Sequence, residues 1–529
     1  MIPSSILQIA RSFRSHRRAP LSAESPYAGC ASTTGVGNSV IHISPFAGFV
    51  VGLSALAVFC APAAHGERVM GKDIRPEREL LITAPAILDS PAAQYPGAWS
   101  FGGLLDELVG PEAAGTCVRQ WLESWNGKQK VNSQEMAPRY GIYNKVIQPW
   151  QKLDGYQPDP AKPWVPQMKH APFRLLAIVN RMDLCAPAVA GSLNEVEEIW
   201  RMRGQEKEFF KLLGNTGGSS VGTPARSGGY GSFCFPINPN QPEPNVAGEG
   251  RLVFGAVDEK GAPLPGDWTV IFEYNLARSS SDATARDWAK AWHSLGSLEL
   301  TDPAFPAALE KLTRAFTHGA TASLAQLRSS EAAFGEGREF RQFELSNGTF
   351  SPAALTQTPA PAFGLKHSPE QRALSQFLHE QDPLIRSGIN RLPTSLQTRK
   401  ASVAVLGGSA IIPSNEPDFY WDMTQQVSRE ARHLFSLNTC TGCHAGETGC
   451  AQGLHIHPRA EGAEAVLSSF LREDGQPLRV NDPDVKGSKI EYKEMSDRAA
   501  ILAALLEPSD RSTINALHPI LRTRLSRAH

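Results

Sequence analysis

Apolar positions fall into distinct periods along the chain. Leu104, Leu105 and Leu108 share one helical face, and Val118, Trp121, Leu122 and Trp125 recur at helical spacing on the next segment. Both read as helices that turn their stripes toward a core. The run "FRLLAIVNRMDL" (Phe173 to Leu184) is apolar at its centre and polar at its end, as in a buried strand. "RLVFGAV" (Arg251 to Val257) and "WTVIFEYNL" (Trp268 to Leu276) flank a turn-rich loop, "DEKGAPLPGD", and predict an antiparallel hairpin. Two helical stripes follow, Trp288, Trp292 and Leu295, then Leu309, Leu312 and Phe316, the latter stopped at Gly319. Strands beside unevenly interleaved helices indicate an α+β fold rather than a βαβ repeat.

Two stretches lack such a pattern. Leu213 to Gly250 is a long Gly- and Pro-rich segment, of the kind that is functional or disordered when it interrupts a compact domain. Ser351 to Gly364, "SPAALTQTPAPAFG", reads as a Pro-rich linker or a wrapping segment.

Near the N-terminus, "FAGFVVGLSALAVFCAPAAHGE" (Phe46 to Glu67) passes from an apolar run through small residues to charge. That order matches a secretory signal with its cleavage site, with an uncleaved membrane anchor as the alternative. The expectation is an exported bacterial protein, periplasmic or secreted, that touches a membrane only through an uncleaved leader.

Length and charge narrow the classes further. A chain of 529 residues is too long for one small core, and its 41% hydrophobic and 20% charged residues are those of a globular protein. A formal net charge of −1 gives no electrostatic reason for a nucleic-acid partner.

The candidate chemistry lies in "FSLNTCTGCHAGETG", where Cys440, Cys443 and His444 form C-x-x-C-H. The spacing is that of c-type haem attachment. Two thiols about one helical turn apart add across the two vinyl groups, and the next residue becomes the proximal iron ligand. Upstream, Val427, Ala431 and Leu434 recur on one helical face, so a helix is expected to run into the motif.

From about Gln425 onward the chain resembles a c-type cytochrome domain, in the manner of large exported bacterial cytochrome c-like proteins. The C-x-x-C-H carries the resemblance, with further helical patterns at Ala463 to Leu471 and Ser496 to Leu506. It implies one covalent haem c, one-electron transfer and an unidentified redox partner. The organisation that follows is multidomain: a leader over 1–66, an α+β domain with an antiparallel sheet over 67–350, a Pro-rich and helical connector over 351–424, and a mostly α-helical haem domain over 425–529. The role of the α+β domain is not legible.

The distal ligand is where the sequence departs from that family. Met495 is the only methionine after the motif, and it sits at an expected helix start. His455 lies eleven positions after His444, close enough in sequence to round a haem edge, and is the expected distal ligand. His457, Met495 and an open sixth position remain as alternatives. An open position would permit peroxidase-like chemistry. A different class is a secreted binding protein whose C-terminal knot is a disulfide or zinc held by Cys440, Cys443, Cys450 and either His455 or His457.

In an oxidising compartment Cys117, Cys185, Cys234 and Cys450 have three possible pairings, and Cys185–Cys234 is the expected one. Glu273 and His293 are a weak acid–base candidate. The match of "GSSVG" at Ser220 to a nucleophile elbow lacks the preceding strand, and "HEQDP" at His379 lacks a second histidine.

Overall fold

The sheet explains why the helical stripes are where they are. In the computed structural model, residues 74–182, 246–277, 282–319, 324–382, 385, 390, 392–424, 426–450, 453–472 and 476–506 are described. Eight strands form one antiparallel sheet: β1 (Leu81–Ile82), β2 (Phe173–Met182), β3 (Val246–Ala256), β4 (Trp268–Ala277), β5 (Leu324–Glu331), β6 (Arg338–Ser346), β7 (Thr349–Ala353) and β8 (Ser409–Ile412). The order is β1-β2-β3-β4-β5-β6-β8, with β7 also paired to β6. The expected hairpin is β3–β4, with Leu252 opposite Phe272 and Phe254 opposite Val270.

Directly opposed residues share a sheet face, so this register defines two unlike surfaces. One carries Phe173, Phe254, Trp268 and Phe272, and packs on α1 (Phe101–Val109) and α2 (Pro111–Ser124). Ser100 starts α1 by accepting a hydrogen bond from the Gly103 amide at 2.9 Å, and Pro111 opens α2. Trp121 stacks on Trp268 at 5.4 Å, and Phe101 stacks on Phe173 at 4.1 Å. The Trp-rich stripe is therefore core, as its spacing indicates. The helices α3 (Asp282–Ser294) and α4 (Ala304–Thr317) cover the same face, and Phe316 packs against the bare backbone of Gly250.

The opposite face is polar. Across β3 to β6 it presents Arg251, Glu273, Gln326, Arg328, Ser330, Arg338 and Gln342, all nearly closed to solvent. The chain after β7 adds, besides β8, α5 (Pro369–Glu380), α6 (Arg429–Leu437), α7 (Cys440–Cys443), a hairpin of β9 (Leu478–Asn481) and β10 (Lys489–Tyr492), and α8 (Glu494–Leu506). Phe340, paired with Ser330 on this face, packs against the ring of His444 just after α7.

Two expectations are corrected here. The C-terminal part is not mostly α-helical: a β-hairpin and extended segments separate its helices. No helix forms over 463–471. There Ser468 N bonds to His455 O and His457 N to Val466 O, each at 2.9 Å, which holds the segment extended against residues 455–457. The described residues lie in one compact unit, His65–His529. The segment read as a connector supplies β7, most of whose residues lie past 350, and the edge strand β8. Leu437, Phe470 and Met495 belong to the same apolar cluster as Trp121. The leader and most of the 213–250 segment lie outside the described residues, as do Cys185, Cys234 and Ser220. No helix among the described residues is long and apolar enough to cross a membrane.

Candidate metal or haem centre

The C-x-x-C-H segment is a separate turn of helix. α6 begins at Ser428, whose hydroxyl accepts from the Ala431 amide at 3.2 Å, and ends at Leu437, short of the motif. Thr439 then caps α7 by accepting from the Gly442 amide at 3.0 Å, while Trp421 donates to the same hydroxyl at 2.8 Å. The break between the helices needs Gly442, because a Cβ there would lie 2.2 Å from the Ser436 carbonyl oxygen. The turn places Cys440, Cys443 and His444 around one end of the polar sheet face. Phe340 of β6 lies 5.0 Å from the His444 ring, and the Cys440 amide donates to Thr358 at 2.9 Å.

His444 is held in one tautomer. Its Nδ1–H donates to the Gly453 carbonyl at 2.9 Å, which makes Nε2 the nitrogen that carries the lone pair. Gly453 has φ +69°, and a Cβ there would meet Arg338 Cδ at 2.3 Å, so glycine alone fits this carbonyl's position. His455 faces His444 with ring centroids 4.5 Å apart, and its own Nδ1 hydrogen-bonds with Ser468 Oγ at 2.8 Å. His455 Nε2 is 3.5 Å from Cys443 Sγ. Cys450 completes a cluster among the described residues: its sulfur and one ring nitrogen each from His444 and His455 lie within 4.8 Å of one another.

Burial keeps these donors uncharged. It drives His444 well below the usual imidazole range, aided by the neighbouring charges of His455, Arg338 and Arg328, and it brings His455 down to about 4. It also pushes the Cys450 thiol up to about 12, and raises Cys440 although the positive charge of Arg328 works against it. Neutral imidazoles are the form that binds a metal, whereas the thiols would lose a proton on doing so.

A charge clamp fixes the turn. Glu447 takes a bidentate pair from Arg432 at 2.7 and 3.0 Å and a further hydrogen bond from His433, while Arg432 Nε reaches Asp484 at 2.6 Å. Burial alone would raise Glu447; the hydrogen bonds from His433 and Arg432 more than offset it and hold the carboxyl at about 2.

The other expected residues lie elsewhere. His457 Nδ1 is 3.8 Å from Asp267, and Met495 is buried in the apolar cluster at the start of α8. Of the alternative zinc set, Cys450 and His455 lie in the cluster, with His444 as its third member, while Cys440 packs among Phe340, Leu355, Ala410, Ile412 and Ala445. No disulfide joins Cys117, Cys440, Cys443 or Cys450. Glu273 and His293 do not form a pair: Glu273 receives a hydrogen bond from Gln326, and His293 binds Glu79 at 2.8 Å.

Sequence reasoning missed the buried charges that β5 and β6 bring beside this centre. Arg328 Nε is 3.6 Å from Glu273, which is 3.5 Å from Arg251, and Arg338 reaches Ser330 Oγ at 3.3 Å. The only signal was the density of Arg, Gln and Glu in two segments that also carry Leu and Phe at strand spacing. No protein-family model, curated protein or solved structure matches the chain.

Proposed function

We propose that the turn from Cys440 to His444 attaches one haem c, and that the protein is an exported electron carrier of the c-type cytochrome kind. The observation that carries this reading is the pairing of a C-x-x-C-H turn with a second imidazole, His455, that faces His444. The ligand atoms of His444 and His455 lie within 4.8 Å of one another, so both can donate to one bound metal. Cys440 and Cys443 would hold the group through thioethers, each thiol adding its S–H across a vinyl double bond. His444 Nε2 would bind the iron, with the Gly453 carbonyl orienting the ring, and His455 Nε2 would be a second nitrogen donor, with Ser468 orienting its ring. Bound haem would supply one-electron transfer, at a lower potential with a second histidine than with methionine. The apolar run over 46–67 supports export.

A second reading is favoured by the approach of Cys450 to both histidines. His444, Cys450 and His455 would then hold zinc, with a water or Cys443 as fourth donor. Expression of the full chain with haem-maturation machinery, followed by a visible spectrum and metal analysis, separates the two. A Soret band with one iron per chain supports haem; one zinc per chain and no Soret band supports the second reading and ends the first.

A further inference from the structure

A row of alternating charges crosses the polar sheet face and ends in a group that the chain does not satisfy. Arg251 donates to Glu249 through Nε at 2.7 Å, and Glu273 stands 3.5 Å from Arg251 and 3.6 Å from Arg328 Nε. Arg328, on β5, is the last member. It is 4% exposed, and none of its three guanidinium nitrogens has a hydrogen-bond acceptor in the chain. Its contact with Glu273 is beyond hydrogen-bonding distance, and Glu273 already receives the Gln326 amide. A buried guanidinium with every donor unmatched is costly. Water could accept from it, but an anion both accepts and cancels the charge.

The surroundings narrow the kind of anion. On its own strand Arg328 lies between Gln326 and Ser330, and across the sheet it faces Ile271 of β4 and Gln342 of β6. None of these four is charged, so one guanidinium is the receptor and a compact guest suffices. The ion pair to Glu273 runs through Nε, which turns the edge formed by the two terminal nitrogens away from that carboxylate. A planar guanidinium presents parallel N–H groups to two oxygens of one acceptor, a geometry that selects oxyanions. Phe340, diagonal to Arg328, packs against both Cys440 and the His444 ring, and the charge of Arg328 acts on both of those residues. An anion seated there lies beside the centre.

We propose that Arg328 is the receptor of a buried oxyanion site, which takes one small free anion with two oxygens toward the guanidinium: a carboxylate such as formate, or an inorganic anion such as nitrate or phosphate. Neither metal reading is needed for this, because Arg328 belongs to the sheet and is no member of the His444, Cys450 and His455 cluster. The polar face of the sheet then has a binding role of its own.

Thermal unfolding of the full chain tests this, on unmodified protein, Arg328→Gln and the exposed control Arg314→Gln. Formate, nitrate or phosphate is added, each against sodium chloride at the same ionic strength. In the unmodified chain and in Arg314→Gln, at least one of the three should raise the melting temperature above the chloride series. The expected rise is about 1–2 °C for each tenfold increase in concentration past half-saturation. Arg328→Gln should show none. A response to formate alone identifies a carboxylate site, and a response to nitrate or phosphate an inorganic one. No rise over chloride in the unmodified chain, or an equal rise in Arg328→Gln, overturns the inference. If Arg328→Gln does not fold, a crystal structure of the unmodified chain grown in the stabilising anion decides. An anion oxygen within about 3.2 Å of each terminal Arg328 nitrogen is expected, and water alone at those nitrogens overturns the inference.

Discussion

His444 and His455 face one another with ring centroids 4.5 Å apart, and each ring is oriented through its Nδ1, one by the Gly453 carbonyl and the other by Ser468 Oγ. Two neutral imidazoles brought together in this way can both donate to one metal ion. In haem-loaded protein, His455→Ala should convert a low-spin spectrum to high-spin. Met495→Ala should leave it low-spin. Loss of the low-spin signal in the methionine variant alone would transfer the ligand role to Met495.

Gly453 positions His444 through its backbone, so a side chain there should act on metal affinity as well as on stability. Gly453 and Gly462 both have positive φ, +69° and +71°, but a Cβ at 453 would strike Arg338 whereas one at 462 meets nothing within 4 Å. Gly462→Ala should cost about 1 kcal/mol. Gly453→Ala should cost about 2–3 kcal/mol and weaken metal binding by about 10–100-fold, the usual scale for losing the group that orients a ligating histidine. Thermal melts and metal titration of the two variants check this. Equal behaviour would show that the carbonyl does not orient His444.

Acid should release the turn through Glu447. Its folded value of about 2 lies below the ordinary 4.5, so the unfolded chain binds the proton more readily. The stabilisation is fully present above pH 4.5 and is lost as pH falls toward 2, by about 3 kcal/mol. Denaturant unfolding across that window should show the slope, and Glu447→Gln should remove most of it. The same variant at pH 7 should be destabilised by about 3–5 kcal/mol, because Arg432 loses its buried bidentate partner. An unchanged acid slope in Glu447→Gln would place the titration elsewhere.

Cys450 separates the two metal readings. Haem attachment does not use its sulfur, so Cys450→Ser should keep covalent haem and its spectrum. Zinc held by His444, Cys450 and His455 would be lost from the same variant, as measured by metal analysis of the purified chain.

The three central strands and the aromatic core were legible because their apolar residues follow one period without interruption. Phe173 to Met182 and Trp268 to Leu276 are buried nearly throughout, and Trp268, Val270, Phe272, Tyr274 and Leu276 alternate without a break onto the aromatic face. The strands β5 and β6 escaped notice because burial there is achieved with charge. Glu331, Glu339 and Arg341 lie on one face, with Arg139 held between Glu331 and Glu339 at 2.6 Å, and Arg328 and Arg338 lie on the other. Residues 463–471 carry a helical pattern that tertiary pairing overrides, since the strand-like contacts at His455 and His457 take up the backbone groups of Val466 and Ser468. At the centre itself, C-x-x-C-H and His455 were readable as local spacing. Cys450 beside His444, and Arg328 beneath them, depend on chain segments that only the fold brings together.

Intact-mass spectrometry of the denatured full chain, produced in a bacterial periplasm with haem-maturation machinery, tests the central claim most directly. The account predicts that the mature chain is heavier by one haem, and that Cys440→Ala with Cys443→Ala abolishes the increment. A chain of unaltered mass that retains one zinc per molecule under native conditions would contradict it.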